Sequence, residues 1–298
     1  MMRLGLCCIF KGQPIKFRRT TAKYMSKFSK KDQRSRLSEL CLSNADQLLA
    51  ALRFCLDNDI GDFRINSQIL PLKTHPETGY DIMDMPEADQ IVQRLNACGQ
   101  FSRRNNIRTS FHPDQFIILS SPDPVVVKRS IADLEYQAQV SQWVNADVIN
   151  IHAGGVYGDK TSALDRLRRQ VDILSDPVRK RLTLENDDRS YTPKDLLPVC
   201  KEMNIPLVYD VHHHRCLPDG MDIELATGLA IKTWDREPLF HVSSPIHGWH
   251  EPDARKHHDY IDINDFPKIW LKRDLTVEVE AKAKELAVLK LMDELKIK

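Results

Sequence analysis

The chain has 298 residues, enough for one large core or two ordinary domains, and 42% hydrophobic with 29% charged residues is the balance of a soluble globular protein. No apolar run reaches the roughly 20 residues of a membrane-spanning helix, and the seven cysteines, without a C-x-x-C pair, argue for free thiols in a reducing cytoplasm. A net charge of +1 by itself points to no partner.

In chain order, RLGLCCIF (3–10) is expected to be a strand, not a signal peptide, because KGQPIKFRR follows at once without a small-residue cleavage site. Residues 11–36 hold ten Lys and Arg against Asp32 alone, a local +9 that leaves −8 for the rest of the +1 chain. A basic insertion loop is therefore expected over about 11–43, with Ser43 capping the helix ADQLLAALRFCLDND. Further strands are expected at DFRIN (62–66), IRTSFH (107–112), DVINIHA (147–153), RLTLEN (181–186), PLVYDV (206–211), PLFHVSS (238–244) and LTVEVEA (275–281). Most are apolar and β-branched with little alternation, as for strands covered on both faces.

Helical patterns separate them: PEADQIVQRLNACGQFSRRNN, PVVVKRSIADLEYQAQVSQWVN, TSALDRLRRQVDIL, TPKDLLPVCKEM, DIELATGLAIKTW and, last, EAKAKELAVLKLMDELK. Eight strands alternating with helices over the whole length predict an α/β fold, a single-domain (β/α)8 TIM barrel. The basic segment and a His-rich loop at about 245–262 are its insertions. A doubly wound open sheet is the rival, but the first turn, FKGQPIKF, has no G-x-G-x-x-G.

A barrel of this kind gathers the C-terminal strand ends at one catalytic face. Strand two leads to His75, strand three ends at His112, strand four at His152 and strand five at Glu185. Strand six ends at Asp210, with His213 three residues on; strand seven carries His241 and its loop His258; strand eight carries Glu280. One strand-end histidine is more often a satisfied polar residue than a ligand, but seven consecutive strands ending in His, Asp or Glu are a pattern. Nine such groups exceed the three or four of a mononuclear site, so two or three divalent metals are expected, with Glu185 as the bridge. His212 and His214 are expected to be loop residues without ligand roles or donors to the ligands. Lys160 is a candidate phosphate contact and Tyr157 a candidate groove contact, against ordinary roles as a helix-start lysine and a packing aromatic.

RLGLCC, SFHPDQF, HAGGVYGDK, LEND, DVHHH, HVSSP, HHDYI and EAKAKEL, in this order, resemble the UV damage endonuclease family over nearly the whole chain. The resemblance implies a barrel with three metal ions, manganese foremost and zinc or magnesium as alternatives. It also implies incision of double-stranded DNA immediately 5′ to a UV photoproduct, leaving 3′-hydroxyl and 5′-phosphate. It places His112, His152 and Glu185, with His75 nearby, around one metal. Glu185, Asp210, His241 and Glu280 surround a second, and His213 with His258 hold a third. Gln115 matches a residue that probes the duplex. Three positions depart from the family pattern: Leu239 stands where a lysine can be carboxylated, Phe116 where the probe is often Tyr, and Leu6 where the first loop has an aromatic.

The expected reaction is phosphodiester hydrolysis, with water made acidic by bound metal as the attacking group. Glu185 and Lys160 are the residues expected to serve the chemistry. Gln115, Phe116, Tyr157, Lys160, Lys16, Arg18 and Arg19 are expected to hold DNA. The protein is expected to be a cytoplasmic monomer with no obligate protein partner and no membrane. An abasic-site endonuclease, a sugar isomerase on the same barrel and a binding protein with structural metal are the rival readings.

Overall fold

In the computed structural model, which describes residues 2–297, the chain forms an eight-stranded, wholly parallel barrel with helices outside it. The strands are β1 (Arg3–Cys7), β2 (Asp62–Ile65), β3 (Arg108–Phe111), β4 (Val148–His152), β5 (Leu182–Glu185), β6 (Leu207–Val208), β7 (Leu239–Val242) and β8 (Thr276–Val279). Their order around the sheet is β6-β5-β4-β3-β2-β1-β8-β7. Closure comes from one parallel bridge, Asp210 to His241, between the ends of β6 and β7. All eight expected strands form, each shorter than its apolar run.

The helices are α1 (Ala22–Met25), α2 (Lys30–Asp57), α3 (Ala88–Arg104), α4 (Pro124–Val144), α5 (Lys160–Asp172), α6 (Asp176–Arg179), α7 (Pro193–Met203), α8 (Val211–Cys216), α9 (Ile223–Ile231) and α10 (Glu285–Leu295). Local chemistry sets their starts. Thr192 and Asp195 make a reciprocal capping box ahead of Pro193, and Asp123 caps α4 ahead of Pro124. The main correction concerns α2, which begins at Lys30 rather than after Ser43. Ser29 accepts from Asp32 N, and Leu37, Leu40, Cys41, Asn44, Ala45 and Leu48 carry a buried stripe inward from that cap. Ser43 is mid-helix, and Lys30, Lys31, Arg34 and Arg36 are the exposed side of a helix rather than loop.

The true basic loop, residues 8–21, is pinned by its backbone. Glu285 accepts from Lys11 N (2.9 Å), and Gln47 accepts from Lys16 N (2.9 Å). Asn44, fully buried, accepts from Arg18 N (2.7 Å) and donates to Arg18 O (3.0 Å). The side chains of Lys16, Arg18 and Arg19 remain exposed.

The main core lies between the barrel and its helices. Inside the barrel, Val148, Val208 and Leu239 form a small separate apolar cluster with Trp234 beside it. Above it the interior is polar where barrels usually carry branched aliphatics. Arg64, Ser110, Asn150, Thr183 and Glu278 are all buried. Such groups are tolerable only when paired, and they are. Thr183 donates to Asn150 Oδ1 (3.0 Å), Asn150 to Glu185 (2.6 Å), and Arg64 and Ser110 to Glu278.

Candidate active site

Parity along the strands selects the functional side chains, since residues two apart share a face. Asn150 and His152 on β4, Thr183 and Glu185 on β5, Leu239 and His241 on β7 therefore point inward in layers. The ligand-type groups occupy the layer at the C-terminal ends.

At that layer Glu185 is fully buried and central. Its Oε2 lies 3.0 Å from His112 Nε2 and 3.9 Å from His152 Nε2, while its Oε1 lies 3.1 Å from His241 Nδ1 and 3.3 Å from His213 Nδ1. Each oxygen thus serves a different half of the cluster, as a bridging carboxylate requires. His241 Nδ1 also faces Glu280 Oε1 at 3.5 Å and Asp210 Oδ2 at 4.0 Å, so three carboxylates surround one nitrogen.

The aspartate and three histidines that end β6 have distinct roles. Asp210 Oδ1 accepts from His213 N (2.8 Å) and caps α8, which makes a helical turn of what the sequence suggested was loop. Its other oxygen, Oδ2, is buried without a hydrogen-bond partner. His213 Nδ1 lies 3.0 Å from the Asn186 carbonyl oxygen, which orients the ring. His214 is buried between Tyr209 Oη (2.8 Å) and Asp219 Oδ1 (2.9 Å), and so anchors the turn. His212 is fully buried against Trp249 and His257, both ring centroids 5.1 Å away.

Three sets of ligand atoms each lie within 4.8 Å of one another: His112, His152 and Glu185; His112, His241 and Glu280; Glu185, Asp210 and His213. No cysteine joins them among the described residues, and burial raises the Cys7 thiol well above its ordinary range. Burial alone would lower the pKa of His241, but Glu185 and Glu280 raise it to about 10. Burial likewise opposes ionisation of Glu185, yet His241, His152 and His112 hold it well below the usual carboxylate range. A buried surplus of carboxylate, with an orphaned aspartate oxygen, is chemistry that suits divalent cations.

Two expected ligands lie elsewhere. His75 is turned so that Nδ1 accepts from the backbone N–H of Glu77 (3.2 Å) and Thr78 (3.3 Å), and it joins none of the three sets. An accepting Nδ1 carries no proton, so in this conformation Nε2 is a donor. His258 is exposed and folded back on Tyr260. Its neighbour His257 faces the cluster instead, with Nδ1 3.7 Å from Glu280 Oε2 and its ring 6.3 Å from His213. In HHDYI the sequence offered two adjacent histidines, and only the loop's path through the bridge of Pro245 to His257 chooses between them.

Around this centre stand the expected DNA contacts. An Asx turn, Phe116 N to Asp114 Oδ1 (3.2 Å), projects Gln115 and Phe116 outward from the loop after β3. Phe116 is 72% exposed, more than any other large apolar side chain described. Tyr157 is exposed at a positive φ of 49°, with Arg166 over its ring at 5.6 Å. Lys160 is already paired with Asp195 Oδ2 at 2.9 Å and lies over Tyr191. Leu6 is fully buried in the core, so it cannot stand in for a rim aromatic; Ile9, 42% exposed, is the apolar side chain at that rim.

A family model described as UV-endonuclease UvdE matches residues 2–298. The chain belongs to the UV-endonuclease UvdE family. It is 35% identical to the UV DNA damage endonuclease of Bacillus velezensis, over 97% of this chain and 91% of that one. It is 31% identical to the UV DNA damage endonuclease of Bacillus cereus, over 90% and 86%. The crystal structure of SacUVDE superposes with a TM-score of 0.88 at 28% identity, covering 99% of this chain and 98% of that chain. Endonuclease IV from Thermus thermophilus shares the fold at a TM-score of 0.63 and 12% identity, covering 99% and 97%.

For a UvdE endonuclease, the sequence reading missed three residues of this centre: His257, Arg64 and Glu278. Arg64 Nη1 pairs with Glu280 Oε1 at 2.6 Å, its Nη2 lies 2.8 Å from His241 Nε2, and it also pairs with Glu278. Strand parity was the available signal, since Glu278, on β8, precedes Glu280 by two residues. Leu239, two before His241, is buried in the apolar cluster below, so it leaves no ligating group at that position.

Proposed function

We propose that this UvdE endonuclease hydrolyses the phosphodiester immediately 5′ to a UV photoproduct in double-stranded DNA, leaving a 3′-hydroxyl and a 5′-phosphate. The observation that carries the reading is the ring of Glu185, Asp210 and Glu280 around His241 Nδ1, with His213 at the same Glu185 and Asp210 oxygens and His112 and His152 at the other oxygen of Glu185. These seven residues, with His257, would hold divalent ions, three in number and manganese foremost. Bound there, divalent ions would supply Lewis acidity to the phosphate and its attacking water.

The chain's own residues do the rest. Glu185 bridges the two halves of the cluster, and Asp210 ties one of them to α8. Lys16, Arg18 and Arg19, on a loop whose backbone is already fixed, hold the DNA backbone at low ordering cost. Gln115 and Phe116 enter the duplex at the lesion, where a weakened stack costs least to open. Tyr157 lines the groove. Lys160 reaches phosphate only by leaving Asp195. A monomer suffices for this face, and the seven unpaired cysteines fit a reducing cytoplasm.

The test is strand incision on two matched duplexes, one with a single pyrimidine dimer and one with an abasic site, under manganese, zinc and chelator. Manganese-dependent cutting just 5′ to the dimer is expected. Cutting at the abasic site alone would move the substrate to abasic sites, and failure to cut either duplex with metal bound would overturn the nuclease reading.

A further inference from the structure

Glu278 lies beneath the cluster and belongs to none of the three ligand sets, although it is 1% exposed. It accepts from Arg64 Nε at 2.5 Å and from Ser110 Oγ, and its Oε2 lies 3.0 Å from His241 Nε2. Arg64 Nη2 approaches the same nitrogen at 2.8 Å. These two neighbours make opposite demands on His241. Arginine has only donors, so its approach asks for a bare Nε2; a carboxylate has only acceptors, so its approach asks for Nε2–H.

The other ring nitrogen decides which demand is met. Nδ1 faces Glu185, Glu280 and Asp210, the side on which a divalent ion would be held. A nitrogen that gives its lone pair to a cation carries no proton, so a ligating neutral His241 has its proton on Nε2. That proton is buried and needs an acceptor. Glu278 is the acceptor in reach. Arg64 then acts through the carboxylates, spanning Glu278 and Glu280 and holding both in register.

We propose that Glu278 is a positioning residue for the metal centre, which fixes His241 with its proton on Nε2 and so makes Nδ1 the ligating atom. This rests on the reading of the cluster as a divalent-metal site. Carboxylate partners of ligating histidines hold ring orientation and raise ligand basicity, and their loss typically weakens metal binding by about 10- to 100-fold.

The experiment uses histidine-15N-labelled full-length protein loaded with zinc, which is diamagnetic, with His241→Asn for assignment. Ring spectra are recorded alongside zinc affinity by chelator competition. The wild type is expected to show His241 protonated at Nε2 with a hydrogen-bonded proton signal. Glu278→Leu combined with Arg64→Met removes the buried pair together, an exchange that proteins often tolerate. It is expected to lose that signal and bind zinc about 10- to 100-fold more weakly. Glu278→Gln keeps an acceptor oxygen and is expected to recover most of both.

Zinc-loaded wild type with His241 protonated at Nδ1, or a folded double variant that keeps wild-type affinity, would overturn the role of Glu278 while leaving the metal centre in place. A wild type that binds no divalent ion would overturn the metal centre and this role together. If the double variant does not fold, the wild-type spectrum and Glu278→Gln still decide.

Discussion

The backbones of Asp210 and His241 pair across the seam between β6 and β7, and their side chains converge on the same space, Oδ2 to Nδ1 at 4.0 Å. The barrel is therefore closed at its candidate metal centre. β6 pairs with β5 over two residue pairs, and the Asp210 bridge with the His241 N to Tyr209 O bond (3.1 Å) joins it to β7. Ligand-type groups reach the cluster from β5, β6, β7 and β8, so an ion held there would clasp this seam. Amide exchange over 207–210 and 239–242 is expected to be slowest in metal-loaded protein and to speed up on chelation, while β1 and β2 change little. Equal exchange at the seam with and without metal would count against the clasp.

Binding to the native state alone stabilises by mass action, about 2.7 kcal/mol at a ligand concentration 100 times Kd. For a chain of this size that is a rise in Tm of about 5 °C. Manganese is expected to produce such a rise in the wild type and little in Glu185→Gln, which loses the shared bridge. Incision by Glu185→Gln should fall to background at the same metal concentration.

The metal-free protein should be pH-sensitive on the alkaline side. His241 has an ordinary pKa of 6.5, raised to about 10 in the fold by Glu185 and Glu280 against the penalty of burial. A raised histidine contributes stability that is fully present below pH 6.5 and is lost as the pH rises through about 10. His213 is shifted the same way, with burial opposed by Asp210 and Glu185. Urea midpoints in chelator are expected to fall as the pH rises from 6.5 towards about 10, and saturating metal, which takes the proton's place, should flatten that fall. A flat metal-free profile would show that the buried carboxylates are compensated in another way.

Phe116 can be removed without touching the core, since it is 72% exposed. Phe116→Ala should leave Tm unchanged while lowering affinity for lesion duplex by the worth of one stacked base, about 1–3 kcal/mol. Affinity for undamaged duplex should change less. An equal loss on both duplexes would make Phe116 a general contact instead of a lesion probe.

Arg18 and Arg19 project from a backbone held by Asn44, so their truncation should not collapse the loop. For each phosphate that is no longer neutralised, the slope of log affinity against log salt should shrink by about 0.9. Arg18→Ala with Arg19→Ala is therefore expected to lower the slope by nearly two, equally for damaged and undamaged DNA. An unchanged slope would place the DNA backbone elsewhere.

The sequence alone determined the eight strands, the barrel and most of the cluster. Unbroken apolar runs end in His, Asp or Glu, and a parallel barrel brings all such ends to one face. His112, His152, Glu185, His241 and Glu280 were legible because each stands at or near the C-terminal end of an apolar run.

Tertiary structure decided what lies off the strands or beneath the ligand layer. His257 or His258 depends on how a long loop folds back, and two adjacent residues carry no parity signal once the chain has left the sheet. His75 sits in such a loop and turns to its own backbone. Glu278 shares its strand parity with Glu280, but only barrel closure sets it and Arg64 under His241, where burial makes each the other's required partner. The basic segment shows the same division. Its charge was plain from composition, but the grip of Asn44 on Arg18 is a contact between residues 26 positions apart, which no local pattern contains.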